Sequence, residues 1–174
     1  MKKIVSLLLA LTLTIGLVCS LSSCSGGNAP ELPDGCKRYE NGYLSFAYPE
    51  DWSKQTGSVD MLVNPTGVGN NITVAYESKT NAYDNLTVES FNSTMKPAYE
   101  SMGMSVSNVS ISKGTTNNVD YVKLSYNARM SGVSMKQTAI ITTIGNRTFS
   151  ITITEVNSDA KLISTVIDTL YAKR

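Results

Sequence analysis

Tyr43-Leu44-Ser45-Phe46-Ala47-Tyr48-Pro49-Glu50-Asp51-Trp52 is the stretch from which the fold is read. Leu44, Phe46 and Tyr48 alternate with Ser45 and Ala47, the period of a half-buried strand. Pro49 has no N–H to give to a ladder, so the strand ends there and Glu50-Asp51 turns the chain. Trp52 is the only tryptophan. Directly after a turn and beside aromatic strand positions, it reads as a core anchor rather than a ligand-stacking platform. Glu50 and Asp51 are adjacent carboxylates that could serve acid–base chemistry or Ca²⁺. In a turn they read instead as solvated surface, and no Asp-x-Asp-x-Asp loop supports a Ca²⁺ site.

Working outward, Val59–Val63 is a short second strand stopped at Asn64-Pro65, and Gly67 and Gly69 form a loop. Asn71–Glu77 is a third, with Ile72, Val74 and Tyr76 on one face, and the three are expected to form a meander. From Thr87 the period changes. Val88, Phe91, Met95, Ala98 or Tyr99, and Met102 fall three and four apart, which predicts a helix over 87–102. Thr87 is its N-cap, Glu89 suits the positive dipole end and Gly103 is its stop. Pro97 inside it predicts a kink or an early end.

Strand periods then return. Ser105–Ser112 alternates with a break at Asn108, the sign of a bulge, and Lys113-Gly114 and Asn117-Asn118 are expected to bound a turn. Val119–Met130, Val133–Ile144 and Arg147–Val156 are joined by the hairpin signals Ser131-Gly132 and Gly145-Asn146. In the last strand Phe149, Ile151 and Ile153 alternate with hydroxyl residues. A closing helix is predicted over 158–172, capped by Asn157 or Ser158 with Asp159 in its first turn. Its apolar stripe is Leu162 or Ile163, Val166, Ile167 and Leu170, and Lys173-Arg174 suits its C-terminal end. The order β-β-β-α-β-β-β-β-α means an α+β fold: one antiparallel β-sheet flanked by helices. Trp52, Phe46, Phe149, Ile151, Val166 and Leu170 are the predicted core.

The N-terminus is of another kind. Lys2 and Lys3 precede an apolar run from Ile4 to Val18, interrupted only by Ser6, Thr12, Thr14 and Gly16, and Leu21-Ser22-Ser23-Cys24 follows. A charged start, an apolar middle and a small-residue exit make a secretory signal peptide. The run is shorter than the roughly 20 apolar residues of a membrane span. Leu-Ser-Ser-Cys matches a bacterial lipobox, so residues 1–23 are expected to be removed and Cys24 to receive lipid. Residues 24–38 are expected to be a flexible tether, since Ser25 to Gly35 holds two Pro and three Gly and few apolar residues. The domain is expected over 39–174. Its place would be the extracytoplasmic face of a cell membrane, held by the anchor on Cys24.

Cleavage would leave 151 residues (174 less 23), enough for one domain with its own core. It would also remove two of the 15 basic residues, leaving 13 against 14 acids. No strongly basic face is implied, so a nucleic-acid partner is not expected. With Cys24 acylated and Cys19 discarded with the signal, Cys36 is a single free thiol. Lys37 and Arg38 beside it suggest a lowered pKa and reactivity. An incidental cysteine near the tether is the plainer alternative. Nine Tyr against three Phe suggest a recognition surface over Tyr76, Tyr83, Tyr99, Tyr121 and Tyr126, or simply strand composition. Five Asn-x-Ser/Thr triplets, at Asn71, Asn85, Asn92, Asn108 and Asn146, read as chance in a bacterial chain.

The aromatic strand running into Tyr48-Pro49-x-x-Trp52, with the element order above, resembles the PsbP-like domains. The resemblance covers 39–172 and extends to small bacterial lipoproteins of the DcrB type. It implies a PsbP-like α/β/α sandwich. Plant PsbP assists an oxygen-evolving complex, and a nuclear import factor of the same fold binds a small GTPase. The resemblance therefore implies an accessory, protein-binding module and not an enzyme, though fold alone does not fix function.

The absence of His removes Ser-His-Asp and Cys-His mechanisms and His-containing zinc sites. Gly67-Val68-Gly69 lacks the rest of any phosphate-binding loop. No catalytic, cofactor-binding or metal-ligating set is assigned. The expected function is a membrane-anchored, non-catalytic accessory module with a protein partner. The alternative is a lipoprotein that binds a small molecule or ion in a cleft beside the sheet. The anchor is tested by feeding cells a palmitate analogue: the wild-type chain is expected to incorporate label, and Cys24→Ala to incorporate none.

Overall fold

The computed structural model describes residues 29–66 and 69–173. Cys24, the signal sequence and the first five residues of the expected tether lie outside them. Ten strands and two helices follow in the order β1 Cys36–Glu40, β2 Leu44–Pro49, β3 Ser53–Thr56, β4 Asp60–Val63, β5 Asn71–Ser78, α1, β6 Met104–Thr116, β7 Val119–Met130, β8 Val133–Ile144, β9 Arg147–Glu155, α2 Ala160–Thr169 and β10 Tyr171–Ala172. Helix α1 runs through three continuous segments, Val88–Ser90, Phe91–Met95 and Lys96–Ser101.

Seven strands form one antiparallel sheet in the order β3-β4-β5-β9-β8-β7-β6, and β1-β2-β10 form a second. Both faces of the large sheet are covered. Against one lie the small sheet and α2, enclosing Phe46, Trp52, Phe149, Ile151, Val166 and Leu170 as the sequence predicts. Against the other lies α1, whose Phe91 is buried with Leu124, Tyr126 and Ile141. β8 is therefore enclosed on both sides, and Thr138-Ala139-Ile140-Ile141-Thr142 are all buried. The two threonines keep partners there: Thr138 pairs with Ser125 at 3.0 Å, and Thr142 donates to the Asp120 carbonyl at 2.7 Å. The α+β class, the antiparallel sheet and the flanking helices agree with the sequence reading.

The first expected meander is corrected. β2 belongs to the small sheet, and the meander is β3-β4-β5. β3 is Ser-Lys-Gln-Thr with all four residues exposed, so no apolar period announces it. β1 begins at Cys36, three residues inside the stretch expected as tether. Pro33 accepts from the Cys36 N–H at 3.1 Å, and Gly35 accepts from the Glu50 N–H at 2.9 Å. The Lys113-Gly114 turn is also corrected. β6 continues through both, and the chain turns at Asn117-Asn118, each with positive φ. The bulge stands where the sequence puts it, with Asn108 at φ 53 and the register shifting between Ser107 and Ser110.

Pro97 does not end α1, which continues to Ser101. The preceding segment is a π-turn in which the Lys96 N–H reaches back to Phe91. This wider turn relieves the clash that a proline ring makes with the previous turn of an α-helix. Ser93 and Thr94 donate their hydroxyls to the Ser90 carbonyl. Thr87 caps the helix in a reciprocal pair with Ser90, and Gly103 stops it at φ 79.

The closing helix is shorter than expected. Asp159, not Asn157 or Ser158, is its N-cap and accepts from the Lys161 and Leu162 N–H groups. At Leu170 the backbone becomes extended, and Tyr171–Ala172 add a strand to β2. The Asn70 side chain fixes the entry to α2, accepting from Val156 and Asn157 N–H at 2.8 and 3.2 Å.

The registers define two ends of the sheet. Ser53, Val63, Asn71, Thr154, Gln137 and Tyr126 lie in one cross-strand row. The Cys36–Pro49 pair is only Glu50-Asp51-Trp52 away from Ser53, so the chain enters the domain at this end. The Asn117-Asn118 and Gly145-Asn146 turns lie at the other.

Thr169 joins helix to small sheet. Its buried hydroxyl accepts from the Ala47 N–H at 2.7 Å and donates to Thr165 at 2.6 Å. Thr169→Val keeps the shape and orphans a buried N–H, which costs about 1–3 kcal/mol. Denaturant titration is expected to show that loss, and Thr169→Ser to recover most of it.

Candidate functional site

The sequence-predicted positions do not converge. Trp52 is buried against the core, which removes the stacking-platform reading. Glu50 and Asp51 are both exposed on their turn. Among the named tyrosines only Tyr76, 59% accessible, is exposed. Tyr99 and Tyr126 stack at 5.7 Å over Phe91 and belong to the α1 core. Burial, then the hydrogen bond to Tyr99, pushes the Tyr126 phenol well above its ordinary value.

Cys36 is half-buried at the start of β1, and its pKa is raised, first by burial and then by the Glu50 carboxylate. The lowering expected from Lys37 and Arg38 is overturned, because both cations are engaged elsewhere. Lys37 lies over the Tyr48 ring at 5.3 Å, and Arg38 donates to the Pro30 carbonyl at 2.5 Å.

What the sheet does assemble lies at the end away from chain entry. The loop between β5 and α1 stands over the sheet and leaves an open groove of about 730 Å³. The Thr80 N–H to the Thr148 hydroxyl, 3.1 Å, and the Lys79 N–H to Asn146, 2.9 Å, hold the loop. Lys113 reaches across from β6 and donates to the Asp84 carbonyl. Lys79, Lys113, Asp84 and Asp120 line the rim, and Thr142, Thr143 and Thr148 lie along the floor. Burial, then Glu77, raises the Tyr83 phenol in the loop. Gly114 shapes this wall: a Cβ there would come within 2.5 Å of the Tyr121 hydroxyl, so the ring lies flat across its strand.

A separate, smaller cleft measures about 300 Å³. In it the Arg147 guanidinium lies between the rings of Tyr43 and Tyr76, 4.7 and 4.3 Å from their centroids, and Phe149 packs against both. On the cleft's other wall Tyr39 donates to Asp60 at 2.7 Å, and Lys54 pairs with Asp60 at 3.0 Å. Partial burial opposes ionisation of Asp60, but those two hydrogen bonds outweigh it and hold its carboxyl below the usual range. Burial and the Asp60 bond raise Tyr39 strongly. Sequence reasoning missed both sites, because each is built from residues far apart in the chain. Gly114 inside a strand period was the one available signal, since such a glycine marks a bulge or close approach.

No family model matches the sequence, and a comparison with curated proteins finds no match. Solved structures do match. The solution structure of cyanobacterial PsbP (CyanoP) from Synechocystis sp. PCC 6803 superposes with a TM-score of 0.64 at 16% identity, over 88% of this chain and 99% of that one. A crystal structure from Bacteroides thetaiotaomicron VPI-5482 gives 0.55 at 18% identity, over 80% of this chain and 49% of that one. This chain spans about half of the Bacteroides protein. At these identities the likeness is one of fold, and the fold is PsbP-like.

Cys36 supplies the test here. Its thiol is expected to alkylate with iodoacetamide at neutral pH more slowly than free cysteine. Glu50→Gln removes the second cause of the raised pKa and is expected to speed the reaction several-fold.

Proposed function

We propose that this chain is an extracytoplasmic, membrane-anchored lipoprotein that acts as a non-catalytic accessory module, binding a protein partner through the groove under the β5–α1 loop. The observation that carries the reading is the groove itself. It is open along its length, carries both charge signs on its rim and is floored by hydroxyls. Those features suit a polar polypeptide segment better than an enclosed small ligand, which favours a concave, mostly apolar pocket. Its position agrees with an anchor on Cys24, since it lies at the end of the sheet remote from chain entry and would face away from the bilayer. The PsbP-like fold supports an accessory role, and kinship with DcrB-type lipoproteins belongs to the same proposal.

A second reading, small-ligand binding, has one observation in its favour. Arg147 is held by two rings and makes no hydrogen bond or ion pair among the described residues. It could therefore receive an anionic group in the smaller cleft.

A photo-crosslinking residue at exposed Thr115 is expected to yield discrete protein adducts in native membranes, and one at exposed Ser164 on α2 to yield none. Gly114→Ala displaces Tyr121 into the groove and should cut the Thr115 adducts several-fold with little change in Tm. Equal adducts from both positions would overturn the groove.

A further inference from the structure

We infer that the β7–β8 hairpin tip is a second membrane contact, one that rests on an anionic lipid surface beside the anchor. This rests on the lipoprotein reading above. Three large apolar side chains stand exposed together there. Met130 and Val133 are cross-strand partners at the tip, 44% and 49% accessible, and Met102, at the C-terminal end of α1, is 63% accessible. Met104, the cross-strand neighbour of Met130, continues the patch inward. The tip itself is Ser131-Gly132, with φ of 51° and 84°, a tight turn with no bulky or charged side chain.

The position of this tip decides its occupant. Val133 lies four residues beyond Gln137, a member of the row that marks the chain-entry end, so the hairpin projects about 13 Å past that row at about 3.3 Å per residue. The chain reaches this same end from Cys24. Arg38 holds the Pro30 carbonyl, so only five residues, 25–29, lie between the lipidated position and a point fixed to the domain, a span of six residue steps. Six residues span at most about 20 Å. An anchor this close brings the entry end near the bilayer, and the structure that projects from that end is apolar.

Charge agrees. Between Asp120 and Glu155 the chain contains Lys123, Arg129, Lys136 and Arg147 and no acid. Arg129 and Lys136, both exposed, flank the tip on its two strands. Lys136 pairs with the buried Glu155 at 3.9 Å while its own side chain stays 48% exposed, so its charge also faces solvent. The register places Arg129 and Lys136 on the face opposite Met130 and Val133, so the hairpin end carries an apolar face and a cationic face, which suits the boundary between acyl chains and anionic headgroups. The lipid on a lipobox cysteine is a diacylglyceryl group, whose two chains supply the hold, so the second contact acts on orientation and sets which end of the domain faces outward.

The test uses the full lipidated chain carrying Cys36→Ser, reconstituted in vesicles of phosphatidylcholine and phosphatidylglycerol. An environment-sensitive fluorophore is placed by Val133→Cys at the tip, or by Asn146→Cys on the opposite hairpin. The fluorophore at 133 is expected to shift to the blue and to be shielded from aqueous iodide several-fold more than that at 146. Arg129→Gln with Lys136→Gln should reduce the shielding. If the protein floats with the vesicles and the two positions quench alike, the tip contact is overturned while the anchor stands. Failure to float overturns the anchor reading and this inference with it. Shielding at 133 in native membranes but not in lipid vesicles would mean that a protein covers the tip, and would also overturn the proposal.

Discussion

The large sheet must be covered on both faces, and the rest of the structure follows from that constraint. β8 has five consecutive buried residues, Thr138 to Thr142, so neither of its faces can be left to water. An uncovered face would return Ile140 or Ile141 to solvent, at about 1.5–3 kcal/mol for each such side chain. Two lids of different construction meet the demand. One is α1, set by Phe91 against Leu124, Tyr126 and Ile141. The other is the small sheet with α2, set by Phe46, Trp52, Val166 and Leu170. The small sheet is too slight to stand alone, and the Thr169 hydroxyl ties its central strand to the helix.

The lids are shorter than the sheet, and what they leave uncovered differs at the two ends. Away from chain entry the β5–α1 loop closes over hydroxyl-bearing strand ends and leaves a polar groove. At the entry end the β7–β8 hairpin outruns its cover and exposes methionine and valine. The molecule is thus polar and concave at one end and apolar and projecting at the other. Under the proposed anchoring, contact with the surface at one end would present the other end to partners. The two sheet edges carry neither role. β3 is four residues long and bears Lys54, and β6 bears Lys113 and the Asn108 bulge, which disfavour pairing with another chain.

The sequence by itself determined the elements whose cause is local. Alternation found β2, β4, β5, β7, β8 and β9 to within a residue or two. Thr87, Gly103, Ser131-Gly132 and Gly145-Asn146 act through their own backbone preferences, so helix ends and hairpins were legible. The core positions were legible because burial follows period. Tertiary structure decided the rest. β3 carries no apolar signal and β10 is only two residues long, so each rests on the hydrogen bonds of a neighbouring edge. β2 joins the small sheet because Tyr171–Ala172 return to it across more than a hundred residues. Pro97 sits inside a helix because the π-turn before it relieves the clash of its ring. The Cys36 pKa is raised, not lowered, because burial and Glu50 act on it while its neighbours' cations meet Tyr48 and Pro30. The groove and the Arg147 stack join residues that only strand order brings together. Local preference is encoded residue by residue, whereas burial, charge pairing and concavity are properties of surfaces that meet only after the chain has folded.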